Sequence, residues 1–281
     1  VIRIAIIASG SSGNCIYIGS DDTHLLVDAG VSCKRIEEGL IGFGINPDEL
    51  CGILVTHEHS DHIKGIGTFV KKHKIPVYGT IETLAAMKRS QCAKAVPMEL
   101  MIHTIANSSF NIGDIAITVT ETSHDAAHSV CYRFENSAGI IAMATDLGKY
   151  DDRIISHLSG ADILYLESNY DHEMLMVGNY PYYLKCRIDG DLGHLSNDCS
   201  AELIEKVLHP GLKHVILAHL SHENNYPEIA YRTHLNMIND AWSFKSAKPT
   251  LDVALRDVPS VAYEITEENF SYEENNNNCC G

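Results

Sequence analysis

The stretch that decides the reading is Val55-Thr56-His57-Glu58-His59-Ser60-Asp61-His62. It begins where a short apolar run ends and stops where an amphipathic helical pattern begins. In extended chain, side chains alternate with period two, so His57 and His59 point the same way. Asp61 and His62 then turn into a helix N-terminus. Four ligand-type side chains within six residues can reach two adjacent metal ions. Histidine and carboxylate suit zinc, and a dinuclear centre needs more donors than one loop supplies.

The rest of the chain supplies them at the ends of other apolar runs. ITVTETSHDA delivers His124, IIAMATDLG delivers Asp146, and HVILAHLSHENN delivers His219. LLVDAG delivers Asp28, which is better placed to hold a ligand histidine than to bind metal itself. A lone histidine at a strand end is usually structural. One HxHxDH followed by three further donors at strand ends is hard to explain without metal.

Composition agrees. The chain has 281 residues, 45% hydrophobic and 21% charged, with 16 histidines. No apolar run approaches the roughly 20 residues a bilayer-spanning helix needs, so a transmembrane protein is not expected. The opening VIRIAIIASG runs into a Gly/Ser loop and reads as a strand rather than a signal peptide. Nine cysteines, with no CxxC, make no disulfide framework and predict a reducing compartment, the cytoplasm. The net charge of −16 disfavours loose nucleic-acid binding but leaves room for a locally positive cleft.

Candidate strands are 2–8, 15–18, 24–27, 52–55, 77–78, 115–120, 129–134, 139–144, 163–166 and 214–218. One helix is predicted from about His62 to His73, with Ile63, Ile66, Phe69 and Val70 on one face. Another spans Ala201–Leu208, with Ser196 or Asn197 as its N-cap. Weaker helical patterns cover 82–89 and 228–239. Strands alternating with helices predict a layered α/β domain over residues 1–263. Residues 264–281 hold five glutamates and no base, and form an expected acidic, Asn-rich, disordered tail.

At this point the chain resembles the metallo-β-lactamase superfamily over residues 1–263. The segments ASGSSGNCIYI, ESNYD, LKCRIDGDLGHLSN and LAHLSHENN further resemble its YycJ/WalJ (VicX) subfamily. The resemblance implies a four-layer αββα sandwich with a metal site at one edge. It implies that His57, His59 and His124 hold one zinc, that Asp61, His62 and His219 hold a second, and that Asp146 bridges them. It also implies a nuclease, in particular a 5′→3′ exonuclease on double-stranded DNA. Only 21 residues separate His124 from Asp146 and 72 separate Asp146 from His219. Those gaps leave no room for the tRNA-binding arm of tRNase Z enzymes or the inserted domain of β-CASP nucleases.

Phosphodiester hydrolysis needs a nucleophile, charge neutralisation and a protonated leaving group. Two zinc ions meet the first two needs, because a hydroxide bridging them forms near neutral pH. Manganese or iron also fits nitrogen and oxygen donors. Asp61 lies in that centre as ligand and catalytic group. For the third need, His194 stands just before the 201–208 helix, whose N-terminus lowers an imidazole pKa. Glu167, at the end of the 163–166 strand, is the carboxylate that restores it. The pair resembles the tRNase Z proton relay. The Ser9–Asn14 loop can present N–H groups to a phosphate or simply form a tight turn, and Lys185 and Arg187 flank the cleft as candidate substrate contacts. DNA is the favoured substrate and RNA an open one. A small-molecule hydrolase acting on an ester, thioester, lactam or cyclic phosphate is the competing reading on the same scaffold.

Overall fold

The computed structural model describes residues 1–266. In its first half, β1 (Ile2–Ala8), β2 (Cys15–Gly19) and β3 (His24–Val27) lead into α1 (Cys33–Gly42) and β4 (Gly52–Leu54). Then come α2 (Ser60–Ile63), α3 (Ile66–His73), β5 (Val77–Gly79), α4 (Ile81–Arg89) and β6 (Met101–His103). The second half opens with β7 (Ser108–Ile112), β8 (Ile115–Glu121), β9 (Val130–Asn136), β10 (Gly139–Ala144), α5 (Asp152–Leu158) and β11 (Ile163–Glu167). It closes with α6 (His172–Val177), α7 (Tyr182–Ile188), α8 (Asn197–Val207), β12 (His214–Ala218), α9 (Pro227–Ala241), β13 (Thr250–Val253) and β14 (Tyr263–Ile265).

Among the described residues the strands form two seven-stranded sheets, ordered β14-β1-β2-β3-β4-β5-β6 and β13-β12-β11-β10-β9-β8-β7. β1 shows why. Its residues are apolar apart from Arg3, and alternate ones bury on opposite faces. Ile2, Ile4 and Ile6 enter the core between the sheets with Phe134, Ile141 and Tyr165. Ala5 and Ile7 face the layer that holds Ile36, Leu40, Phe69 and Val70 of α1 and α3. On the other sheet, Ala142 and Leu217 face Ile154, Leu203 and Ile238 of α5, α8 and α9. The result is the expected αββα sandwich.

Two expectations are corrected. The helix expected over 62–73 is two helices. Gly65 lies between them, where an added Cβ would meet the Val31 carbonyl oxygen at 1.9 Å, and its N–H donates to the Ala29 carbonyl. The boundary expected after residue 263 runs through β14, whose Ile265 is fully buried and pairs with Ile2. The remainder of the expected tail, 267–281, lies outside the described residues.

Most of the candidate donors follow parallel strands, while His124 follows the antiparallel β8. β3 pairs β4, β10 pairs β11 and β11 pairs β12, all in parallel. Their C-terminal ends carry Asp28, His57, Asp146, Glu167 and His219 to one edge of the sandwich. Asp28, Asp146 and His219 all have left-handed backbone, with φ of 60°, 58° and 55°. A non-glycine residue in that region is strained, and such strain gathers at functional sites.

Candidate metal centre

The loop after β4 sets His57 and His59 with ring centroids 4.5 Å apart. His124, from the loop after β8, brings Nε2 to 3.3 Å from His59 Nδ1. His59 ends the loop as the residue before α2, and Asp61 and His62 follow in its first turn. His62 Nε2 lies 3.5 Å from Asp61 Oδ2, as does His219 Nε2. Gly30 permits this, because an added Cβ there would sit 1.6 Å from the Asp61 carbonyl oxygen.

Asp146 stands between the two groups. Its Oδ2 is 3.3 Å from His62 Nε2, and its Oδ1 is 3.7 Å from His124 Nε2 and 3.6 Å from His219 Nε2. Donors bound to one ion at about 2.0–2.2 Å lie some 3–3.5 Å from each other, so these spacings suit metal. Three sets bring their donor atoms within 4.8 Å of one another: His57-His59-His124, His57-His62-Asp146, and Asp61-His62-His219. A fourth, Asp146-Glu167-His194-His219, also does so and brings His194 within reach of the same centre.

The fit to cations rests on two further observations. His57 Nε2 and Asp146 Oδ2 are buried without a hydrogen-bond partner, a costly state for polar atoms that a cation relieves. Three of the histidines are also held by their other nitrogen, an arrangement characteristic of metal ligands. His62 Nδ1 donates to Asp28 Oδ2 at 2.7 Å. His124 Nδ1 donates to the Gly193 carbonyl at 3.0 Å, and His219 Nδ1 donates to Glu167 Oε1 at 3.0 Å. Asp28 also accepts from Thr56 N and Oγ1, each at 2.9 Å.

The buried carboxylates and imidazoles shift one another strongly. Burial raises the Asp61 and Asp146 carboxyls, but the surrounding imidazoles outweigh it and hold both below the ordinary range. Burial lowers His219, but Asp146, Asp61 and Glu167 outweigh it and push it up to about 10. His62 is raised well above its ordinary value against the same burial cost. His57 goes the other way: burial, reinforced by His62, His124 and His59, pushes it well down. A neutral imidazole is the form that binds metal.

Glu167 is fully buried. Its Oε1 also accepts from His194 Nδ1 at 2.7 Å, while Oε2 accepts the N–H groups of Leu147 and Leu195, each at 3.2 Å. Burial raises its pKa, but His194 and His219 outweigh that and hold it well below the ordinary range. The His194 ring, 21% exposed, borders a cavity of about 190 Å³ that Asp61, His124, Asp146 and Arg187 also line. A second cavity of about 340 Å³ adjoins across His124.

Of the expected substrate contacts, only Arg187 lines the metal cavity, and its Nε donates to Asp125 Oδ2. Lys185 Nζ instead donates to the Met176 carbonyl at 2.6 Å. Ser9 and Asn14 are both 2% exposed and serve as scaffold. Ser9 Oγ accepts the His219 N–H at 3.0 Å and pairs with the Tyr165 hydroxyl at 2.9 Å. Asn14 accepts the Gly10 N–H at 2.9 Å and lies 3.1 Å from His62 Nε2. Within that loop the N–H groups of Gly13 and Asn14 go to the carbonyls of Gly10 and Asp61. Ser11 of the same loop lines the metal cavity. Two residues escaped the sequence reading. Thr56 bridges Asp28 and His57. Asp125 puts Oδ1 3.5 Å from His124 Nε2, and its position next to His124 in SHDA was the available signal.

The sequence profile of the Beta-lactamase superfamily domain matches residues 23–220. "Exodeoxyribonuclease YycJ" of Bacillus anthracis is 40% identical over 229 residues, covering 82% of this chain and 86% of that one. "Exodeoxyribonuclease WalJ" of Streptococcus pneumoniae is 38% identical over 239 residues, covering 85% and 89%. Among solved structures, the metallo-β-lactamase fold protein YhfI from Bacillus subtilis superposes with a TM-score of 0.68 at 17% identity, covering 94% of this chain and all of that one. This chain belongs to the beta-lactamase superfamily domain family, alongside the YycJ and WalJ proteins.

Proposed function

We propose that this protein is a dinuclear-metal exonuclease that degrades double-stranded DNA from the 5′ end. The observation that carries it is the position of Asp146, whose two oxygens face different imidazoles of one centre while Oδ2 lacks any hydrogen-bond partner. The names of the YycJ and WalJ relatives support DNA as the substrate. Cytoplasm is the proposed compartment. Among the described residues no helix is long and apolar enough to cross a membrane.

In this reading His57, His59 and His124 would hold one cation, Asp61, His62 and His219 would hold the other, and Asp146 would contribute to both. Zinc is the proposed metal, since three imidazoles suit it. When bound, the pair supplies Lewis-acid charge at the scissile phosphate and lowers the pKa of the attacking water.

The chain's own residues do the rest. Asp61, partly open to the cavity, orients the attacking water by accepting its hydrogen bond. His194, with Nδ1 tied to Glu167, gives a proton from Nε2 to the leaving oxygen. Glu167 stays ionised, stabilises the imidazolium and fixes the ring. Arg187 offers its guanidinium to a phosphate at the cavity wall.

Duplexes labelled at the 5′ or the 3′ end test the proposal, with zinc or manganese supplied. Early release of the 5′ label as a short product is expected. Activity confined to small esters or thioesters, with every nucleic acid left intact, would support the competing hydrolase reading instead.

A further inference from the structure

The segment between the centre and α8 carries a surface that the metal site does not use. Met176 and Val177 of α6, and Tyr182 and Tyr183 of α7, are exposed by 38%, 80%, 80% and 74%. No residue of α7 is buried, so its aromatic side chains contribute nothing to the core. Four large apolar or aromatic side chains left exposed on two successive helices are a candidate interaction surface.

Two observations identify the occupant. The first is charge. Between Glu173 and Asp189 the chain has no acid and has Lys185 and Arg187, within a protein of net charge −16. The second is continuity with the centre. Arg187 and Ile188, at the C-terminal end of α7, line the metal cavity. That end is fastened there: the Ile188 carbonyl accepts the His194 N–H at 2.9 Å, and Asp189 Oδ1 accepts from the Tyr170 hydroxyl at 2.6 Å. Asp125 holds Arg187 through Nε alone, one of five guanidinium donors.

Residues four apart share a helix face, so Tyr183 stands above Arg187, about 6 Å further from the cavity. Aromatic rings next to cations along a strand path are how proteins bind unpaired nucleic acid, because every base has a face to stack. Resting on the nuclease reading above, we propose that α7 is a stacking platform for an unpaired strand end. Tyr183 takes a base beside the scissile phosphodiester, Tyr182 extends the apolar surface, and Arg187 takes the adjoining phosphate. A blunt duplex end must then fray by a base or more to be cut.

The test uses the metal-loaded full chain and a fluorescein-labelled, phosphorothioate-linked oligothymidylate that resists hydrolysis, with affinity read by anisotropy. Tyr183→Ala is expected to raise Kd about tenfold, within the usual range for one stacked base, and Tyr183→Phe to stay near wild type. An oligomer with abasic sites should bind wild type about tenfold more weakly and should not distinguish wild type from Tyr183→Ala. Equal affinity of wild type for the normal and abasic strands would overturn the platform. So would a wild-type dimer that Tyr183→Ala turns into a monomer, since the patch would then be a subunit interface. Wild type that binds and cleaves no nucleic acid overturns the nuclease reading itself; wild-type cleavage with an unaffected Tyr183→Ala overturns only the platform.

Discussion

Glu167 Oε1 accepts a hydrogen bond from His194 Nδ1 at 2.7 Å, and the same oxygen accepts from His219 Nδ1 at 3.0 Å. One buried carboxylate therefore orients both the proposed proton donor and a proposed metal ligand. The two roles separate by mutation.

His194→Ala should lower the rate on DNA by about 10²–10⁴-fold, the scale of general acid catalysis. Metal content should hold at two ions per chain. The loss should shrink on a p-nitrophenyl phosphodiester, whose leaving group needs little protonation. Equal losses on both substrates, or loss of metal along with the imidazole, would contradict the donor role. Glu167→Gln should affect both functions, because His219 loses its acceptor too. Elemental analysis of the two variants side by side separates these effects.

Removing the cations with a chelator should abolish activity, and restoring zinc or manganese should recover it and raise the melting temperature. Ligand binding to the native state stabilises it by mass action. Asp146→Ala should bind at least one ion more weakly and lose nearly all turnover. Full metal content with retained turnover would show that Asp146 serves neither ion.

Asp28→Asn probes the support beneath His62. Asp28 accepts from His62 Nδ1, Thr56 N and Thr56 Oγ1, and an amide cannot accept at all three. Metal affinity is expected to fall about 10–100-fold, as when other orienting partners of ligand histidines are removed. Competition against a chromogenic chelator measures it; an unchanged affinity would mean His62 keeps its orientation without help.

Two histidines remote from the proposed ligand set should contribute to acid destabilisation. Burial lowers His157 and His234 from 6.5 to about 4. His157 Nδ1 sits 2.8 Å from Thr120 Oγ1, and His234 Nδ1 donates to the Ala230 carbonyl at 2.8 Å. As pH falls, the unfolded chain takes up these protons before the folded one does, so stability rises with pH in this range. Their contribution is whole above pH 6.5 and is lost progressively down to pH 4. At about 1.4 kcal/mol per pH unit, each loses roughly 3 kcal/mol by then. Urea unfolding at pH 7, 6 and 5 should show the slope, and His157→Gln or His234→Gln should flatten it. Parallel curves for wild type and variants would rule these residues out as its source.

The chemistry of the centre was legible in the sequence because strand-end donors are a local property. A period-two backbone turns His57 and His59 the same way whatever packs against them, and Asp146 and His219 each follow an apolar run that only a buried strand explains. The weakly patterned elements were not legible. β7, with the sequence SSFNI, and the outermost β13 and β14 pair on one side only, so they need little apolar alternation. The break in the helix after Ile63 depends on how closely residues 29–31 approach Gly65. Roles that depend on partners were likewise set by tertiary structure. Ser9 and Asn14 carry groups suited to a phosphate, yet their hydrogen bonds are spent on His219, Tyr165 and the Gly10 N–H. Asp125 is one unremarked acid in the sequence until folding places it between Arg187 and His124. Sequence alone determined which donors each strand end displays, because that follows from backbone periodicity. Only the packing of one sheet against the other decided which of those donors face a common centre, because residues distant in the chain meet through burial of the core between the sheets.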